Sequence, residues 1–283
     1  MMKRYLNIGC GSTFHRSWEN VDIVSCSPLV RQHDLTKGLP YSDDTFDVVY
    51  ASHVLEHIPY SSVNEFIQEC VRVSRPGGVL RIVVPDFEEM AHRYLEAVQD
   101  CATRDGDAAA RHEWMVIEMI DQAVRSKSGG RMKEFIMEHR HEPVMEYVRK
   151  RVGQEASSII NEAKRSRPLE RSTRSIRQYY GLTAERSIQT FAWLLCGRRG
   201  RSAVKDGFLR ASGEIHHWVY DRISMQLLLE RHGCIEVKQM DAFTSRIPEF
   251  TSYQLDTLGK EIRKPDSLFM EGIKTERAEV RRP

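Results

Sequence analysis

A chain of 283 residues can bury one large core, or one core with a substantial elaboration, and 41% hydrophobic with 29% charged residues is the balance of a globular protein. No apolar run approaches the ~18 residues of a membrane span. The opening Met1–Ser12 enters a strand-and-turn pattern at once, without the apolar core of a secretory leader. A soluble, cytoplasmic protein is expected. The six cysteines (Cys10, Cys26, Cys70, Cys101, Cys196 and Cys234) are widely spaced and include no C-x-x-C pair, so buried free thiols are expected.

The net charge of +2 conceals an asymmetry: residues 149–210 hold 15 Lys/Arg against 5 Asp/Glu. Such a region attracts an anionic substrate, a nucleic acid or a membrane surface, or is simply the solvated face of long helices.

In chain order, short β-rich apolar runs at Tyr5–Ile8, Val21–Val24, Leu29–His33, Phe46–Ala51 and Val79–Val84 read as five strands. Between the last two, Ser62-Val-Asn-Glu65 has the capping-box pattern, and Val63, Phe66, Ile67, Cys70 and Val71 fall on one helical face. Arg75-Pro76-Gly77-Gly78 should stop that helix and turn the chain into the next strand. A strand–helix–strand crossover implies parallel pairing. From about Asp86 to Gly213 the strand signals cease and the sequence favours helix, with breaks at Gly129-Gly130, Gly153 and Pro168. Asp221 then suits the N-cap of a helix carrying Met225, Leu228, Leu229 and His232 and ended by Gly233. Strands at Ile235–Phe243 and Ser267–Gly272 follow, and Arg277–Pro283 has the character of a frayed tail. The implied organisation is one discontinuous α/β domain (1–87 and 214–276), a helical insertion (88–213) and a tail (277–283).

Leu6-Asn7-Ile8-Gly9-Cys10-Gly11-Ser12 sets two glycines at the carboxyl end of the first strand, where a parallel α/β sheet opens its crevice to nucleotide-like ligands. Alone, G-x-G is a weak signal. The dinucleotide fingerprint G-x-G-x-x-G fails at its third glycine, where bulky Phe14 stands.

The order of signals that follows resembles the class I S-adenosylmethionine-dependent methyltransferases, especially the methyltransferase type 11 group with its L-x-x-G-C-G fingerprint. Leu39-Pro40-Tyr41-Ser42-Asp43-Asp44-Thr45-Phe46-Asp47-Val48-Val49 resembles that group's L-P-F-x-D-x-S-F-D-V-V run. His53-Val54-Leu55-Glu56-His57 resembles its V-L-E-H segment, and Arg75-Pro76-Gly77-Gly78 its L-K-P-G-G turn. The resemblance implies a Rossmann-like, seven-stranded, mostly parallel α/β sheet with helices on both faces and a large helical insertion after strand five. It also implies a cofactor, S-adenosylmethionine, held by Asn7, Gly9, Cys10, Gly11 and Ala51, with Asp22 on the ribose and Asp34 and Leu35 on the adenine. Two departures stand out. Ser12-Thr13 replaces the family's frequent third glycine, and Gly11 to Asp22 spans 11 residues where about 20 is usual. A first helix cut to a turn or two is therefore expected.

Methyl transfer is an in-line displacement that needs positioning more than a covalent nucleophile. A hydroxyl acceptor benefits from a general base, and His53, just past the fourth strand, is placed for that role or for shaping the cofactor pocket. Glu214-Ile-His216-His217-Trp218-Val-Tyr220-Asp221 resembles the G-E-x-H-x-W-x-Y-D segment of bacterial methyltransferases associated with glycan gene clusters. This implies a second catalytic candidate in His216 and acceptor contacts from Glu214, His217, Trp218 and Tyr220, unless the segment only docks the insertion. Asp86, after the fifth strand, should also face the crevice.

The expected acceptor is a small molecule or glycan, neutral or anionic, methylated at oxygen; nucleic acid is not expected and no metal is assigned. The competing readings are a zinc hydrolase built on His53-x-x-Glu56-His57, weakened by Ile58-Pro59 ending any helix there, and a non-catalytic scaffold with a basic insertion. His139-Arg140-His141-Glu142 is a second metal-like cluster better suited to a solvated helix end. The insertion leaves and re-enters at the sheet's carboxyl edge, so it can roof the site, with Arg171, Arg174 and Arg177 as an electrostatic rim.

Overall fold

The computed structural model describes residues 3–103, 106–165 and 176–276, with the backbone alone over 162–165 and 176–185. Arg171 and Arg174 lie outside the described residues, as does the tail 277–283, and the Arg177 side chain is not described.

Five strands come first: β1 (Tyr5–Ile8), β2 (Glu19–Asp22), β3 (Val30–Gln32), β4 (Phe46–Ser52) and β5 (Ser74–Pro85). β1 is buried throughout, as expected for a parallel strand covered on both faces. Late in the chain come β6 (Cys234–Met240), a small hairpin of β7 (Thr257–Leu258) and β8 (Glu261–Ile262), and β9 (Ser267–Lys274). The seven-stranded sheet has the order β3-β2-β1-β4-β5-β9-β6. β9 runs antiparallel to both neighbours and every other pairing is parallel. Chain order reverses between β1 and β4, which opens a crevice beyond their carboxyl ends.

Several local expectations are corrected. No helix joins β1 to β2, only turns. Two buried asparagines satisfy this irregular backbone: Asn7 Nδ2 donates to Thr13 O and Asn20 Oδ1, and Asn20 Nδ2 donates to the carbonyls of His15 and Trp18. Helix α1 (Val63–Val73) is present with Val63, Phe66, Ile67 and Cys70 buried, but Ser62 makes no capping bond. A 3-10 turn at Tyr60–Ser62 runs into the helix, and Val63 N–H bonds Tyr60 O, so the first turn is satisfied by backbone. Arg75-Pro76-Gly77-Gly78 is not a separate turn but the irregular start of β5, whose register shifts between Phe46 and Val48. Cys10, Cys70 and Cys234 are buried thiols, whereas Cys26 and Cys196 are exposed.

The segment after β5 is helical: α2 (Phe87–Thr103), α3 (Ala108–Val124), α4 (Gly130–Glu138), α5 (Val144–Val152), α6 (Gln154–Arg165) and α7 (Ile176–Arg210), the last broken at Gly197. It packs its own apolar core around Trp114, Met115, Phe135, Ile136 and Val148, separate from the core beneath α1 and α8 (Arg222–Arg231). α8 begins at a full capping box: Asp221 accepts from Ile223 N and Ser224 N, and Ser224 Oγ accepts from Asp221 N.

Asp266, just before β9, is buried with Oδ1 unpartnered, and burial reinforced by Glu118 pushes its carboxyl up to about 7. A carboxyl raised in the fold contributes stability that is full below its unfolded pKa and lost as pH rises through the folded value. Asp266→Asn should therefore raise the melting temperature by a few degrees at pH 8 and leave it unchanged near pH 4. An equal effect at both values would contradict a protonated Asp266.

Candidate active site

A cavity of about 640 Å³ opens between the carboxyl edge of the sheet and the inner side of α3, α4 and α6. Small-molecule sites span roughly 300–1,000 Å³, so this one has room for two ligands side by side. One wall is the loop after β1. Gly9 N–H and Cys10 N–H both donate to Val21 O, and Gly11 N–H donates to Asp22 Oδ2 at 2.8 Å, binding the loop to the end of β2. Gly9 and Gly11 both have positive φ, a backbone region that L-residues avoid. Their surroundings differ. A Cβ on Gly9 would lie 2.3 Å from Val54 Cγ2, whereas one on Gly11 would meet nothing within 4 Å among the described residues.

Of the residues singled out by sequence, Asn7, Gly9, Cys10, Gly11, His53, Glu214 and His216 line this cavity. The others stand elsewhere. Asp22 lies behind Gly11, with Oδ1 accepting from Val24 N. Asp34 caps the 3-10 turn Leu35–Lys37 through Thr36, which lowers its pKa, and Leu35 packs on the core. Ala51 is a core residue of β4.

Asp86 caps α2 by accepting from Glu89 N, and its burial there raises its pKa, so it does not face the crevice. His217 N–H donates to Glu56 O, Trp218 stacks on Tyr60 at 4.3 Å, and Tyr220 is buried with its backbone bridged to Asp86. Trp218 and Tyr220 instead line a small neighbouring pocket against α2 and α3.

Glu214 latches the insertion. Its carboxylate accepts from Gly129 N at 2.7 Å and Arg125 Nη1 at 3.1 Å. Burial alone would raise its pKa, but these donors hold it below the usual carboxylate range. Glu214→Gln should weaken this charge-assisted pair by about 1–2 kcal/mol and speed amide exchange over residues 125–133 by roughly tenfold. Unchanged exchange would mean the latch bears no load.

His53 follows β4 with φ +53, its N–H donating to Val83 O. Nε2 lies 2.8 Å from Ser267 Oγ and Nδ1 lies 2.9 Å from Glu56 Oε1. Burial, with Lys264 nearby, lowers its pKa and keeps the ring neutral. The zinc-hydrolase motif is not built: Leu55–His57 is a single 3-10 turn, not an α-helix, and His53 turns to Ser267 instead of standing beside His57.

His57 instead meets His216 from the far side of the insertion, ring centroids 4.7 Å apart. Burial pushes His216 down to about 3. Glu56 is 1% exposed; burial raises its pKa, but the facing His53 and the other two histidines bring it down to about 2. Sequence reasoning missed Ser52, Asp256, Arg263, Lys264 and Ser267, which line the cavity from the end of β4, the β7–β8 region and the start of β9.

This sheet order, with one antiparallel strand next to the last, and a glycine loop at its carboxyl edge define a Rossmann-like α/β domain. Residues 14–82, about a quarter of the chain, match the family described as a methyltransferase domain. Among solved structures, the chain is similar to a SAM-dependent methyltransferase from Archaeoglobus fulgidus, 11% identical over 96% of this chain and 86% of that one, with a TM-score of 0.37. Similarity to the [4+2]-cyclase SpnF (23% identical, 29% of this chain and 38% of that one, TM-score 0.24) is partial. So is similarity to the YcgJ protein of Bacillus subtilis (20% identical, 35% and 51%, TM-score 0.26). The aligned region spans about two-fifths to half the length of these last two chains.

Proposed function

We propose that this chain transfers the methyl group of S-adenosylmethionine to an oxygen of a small-molecule or glycan-linked acceptor held between the sheet edge and the helical insertion. The observation that carries this reading is the two-walled cavity, with the glycine loop on one side and Gln122, Arg125 and Ser158 of the insertion on the other. The open space above Gly11, which any side chain would enter, fits a cofactor lying against bare backbone. When bound, S-adenosylmethionine supplies an electrophilic methyl group on a sulfonium.

In this reading Asn7, Gly9, Cys10 and Gly11 hold the amino-acid end of the cofactor, Asp22 approaches its ribose, and Asp34, Leu35 and Ala51 shape the edge nearest the base. Neutral His53 accepts the acceptor's hydroxyl proton through Ser267 Oγ, while His216, with Glu214 beside it, forms the acceptor wall. Asp86, His217, Trp218 and Tyr220 support that wall from behind. Arg263 and Lys264 at the rim favour an anionic acceptor. The helical insertion acts as a cap that excludes water.

No helix among the described residues is long and apolar enough to cross a membrane. A cytoplasmic location is part of the proposal. Isothermal titration calorimetry with S-adenosylmethionine and S-adenosylhomocysteine tests the reading: saturable binding of both is expected, and binding of neither would overturn it.

A further inference from the structure

Glu56, His57 and His216 each offer one ligand atom, and the three atoms lie within 4.8 Å of one another. We propose that these side chains form a site for one divalent transition-metal ion of the zinc class, opening onto the cavity. Two imidazoles and a carboxylate are a recurrent zinc donor set, leaving a fourth position for water or substrate. The proposal uses the same cavity as the proposed methyl transfer but does not depend on that reading.

Three observations support it. First, His57 Nδ1 lies 3.1 Å from Ile215 O, so it carries the proton and donates, leaving the Nε2 lone pair as the ligand. A backbone carbonyl on the far nitrogen is the usual partner of a metal-bound histidine. Second, the Glu56 carboxylate is buried and faces His53 Nδ1 at 2.9 Å, but among the described residues neither oxygen takes a hydrogen bond of good geometry. A buried carboxylate is costly unless donors or a cation compensate it. Third, the His216 ring takes no hydrogen bond among the described residues and stands 4.7 Å from the His57 ring, centroid to centroid, so its nitrogens are not committed to another partner.

The backbone fixes the arrangement. His217 N–H donates to Glu56 O at 2.7 Å and His216 N–H to Gln122 O at 3.0 Å, tying the segment after the insertion to the turn after β4. His57 and His216 line the cavity while Glu56 stands behind them, so the open position faces the space where an acceptor would lie. Tetrahedral ligation at about 2.0–2.2 Å sets the donor atoms roughly 3.4 Å apart, so the three close in from separations of up to 4.8 Å. The proposal departs from the expectation of no metal, and its ligands are not the His53–His57 pair that the sequence motif suggested.

The test uses the full chain stripped with a chelator and titrated with Zn²⁺ against a chromogenic competitor, with Co²⁺ as a spectroscopic probe. One equivalent should bind, with the strong visible bands of tetrahedral Co²⁺. His57→Asn and His216→Asn should each weaken binding at least tenfold and abolish those bands. Glu56→Gln, whose fold is checked by circular dichroism, should do the same, and His139→Asn/His141→Asn should change neither. No retention above that of a His57→Asn/His216→Asn double variant, or equal binding by all variants, would overturn the site. Calorimetry with S-adenosylmethionine on the same samples separates the two ideas: cofactor binding without metal sinks only the metal site, and metal binding without cofactor sinks only the methyl-transfer reading.

Discussion

Arg81→Met is expected to lower stability by about 3–5 kcal/mol, seen as a fall in melting temperature on the order of 10 °C. Arg81 sits mid-way along β5, fully buried, and its guanidinium makes five hydrogen bonds to four acceptors. Nε and Nη2 donate to Asp256 Oδ2, Nη1 to Glu271 Oε1 and Thr244 O, and Nη2 also to Asp241 O. Its plane also lies over the rings of Phe250 and Phe269. Removing the cation leaves two carboxylates in the core without a counter-charge, and burial already raises the pKa of Asp256. The loss should therefore come from stranded partners more than from the missing contacts. Arg81→Met combined with Asp256→Asn and Glu271→Gln should recover a substantial part of it. If the single variant melts within a degree or two of the parent, or if the triple variant is no better than the single, the network does not hold the edge of the cavity together.

The sheet was legible because its central strands are buried on both faces, so they appear as unbroken apolar runs with glycine, proline or aspartate at their ends. Asp221 was legible as a cap because its partner, Ser224, lies within one turn. What failed to show depends on contacts distant in sequence. The missing helix after β1 is replaced by Asn7 and Asn20, whose amides serve backbone groups up to nine residues away, and nothing in an asparagine announces that duty.

The cavity's third wall, with Arg263, Lys264 and Ser267, comes from a turn-rich stretch that matches no motif. Asp34, expected to contact the adenine, also acts as a local cap, a carboxylate accepting from the N–H two residues on. Glu56, His57 and His216 each stood in a noticed segment. Their meeting depends on a hydrogen bond spanning 158 residues, which periodicity cannot reveal.

Gly11→Val is expected to reduce S-adenosylmethionine affinity at least a hundredfold, by calorimetry, while the protein stays folded. Gly11 has φ +52, so a valine there carries about 1–2 kcal/mol of backbone strain, tolerable for a chain of this size. Among the described residues nothing lies within 4 Å of the Cβ position, so the side chain would stand in the cavity space assigned to the cofactor. The bond from Gly11 N–H to Asp22 is preserved, which keeps the loop tied to β2.

Gly9 looks equivalent in the sequence motif and is not. A Cβ at Gly9 would fall 2.3 Å from Val54 Cγ2, against a side chain packed in the core, so Gly9→Val should cost stability before any effect on binding can be read. The pair therefore forms an internal control, with one glycine kept for the ligand and the other for packing. Full cofactor affinity in a folded Gly11→Val protein would remove the glycine loop from the binding site and, with it, the main support for methyl transfer in this cavity.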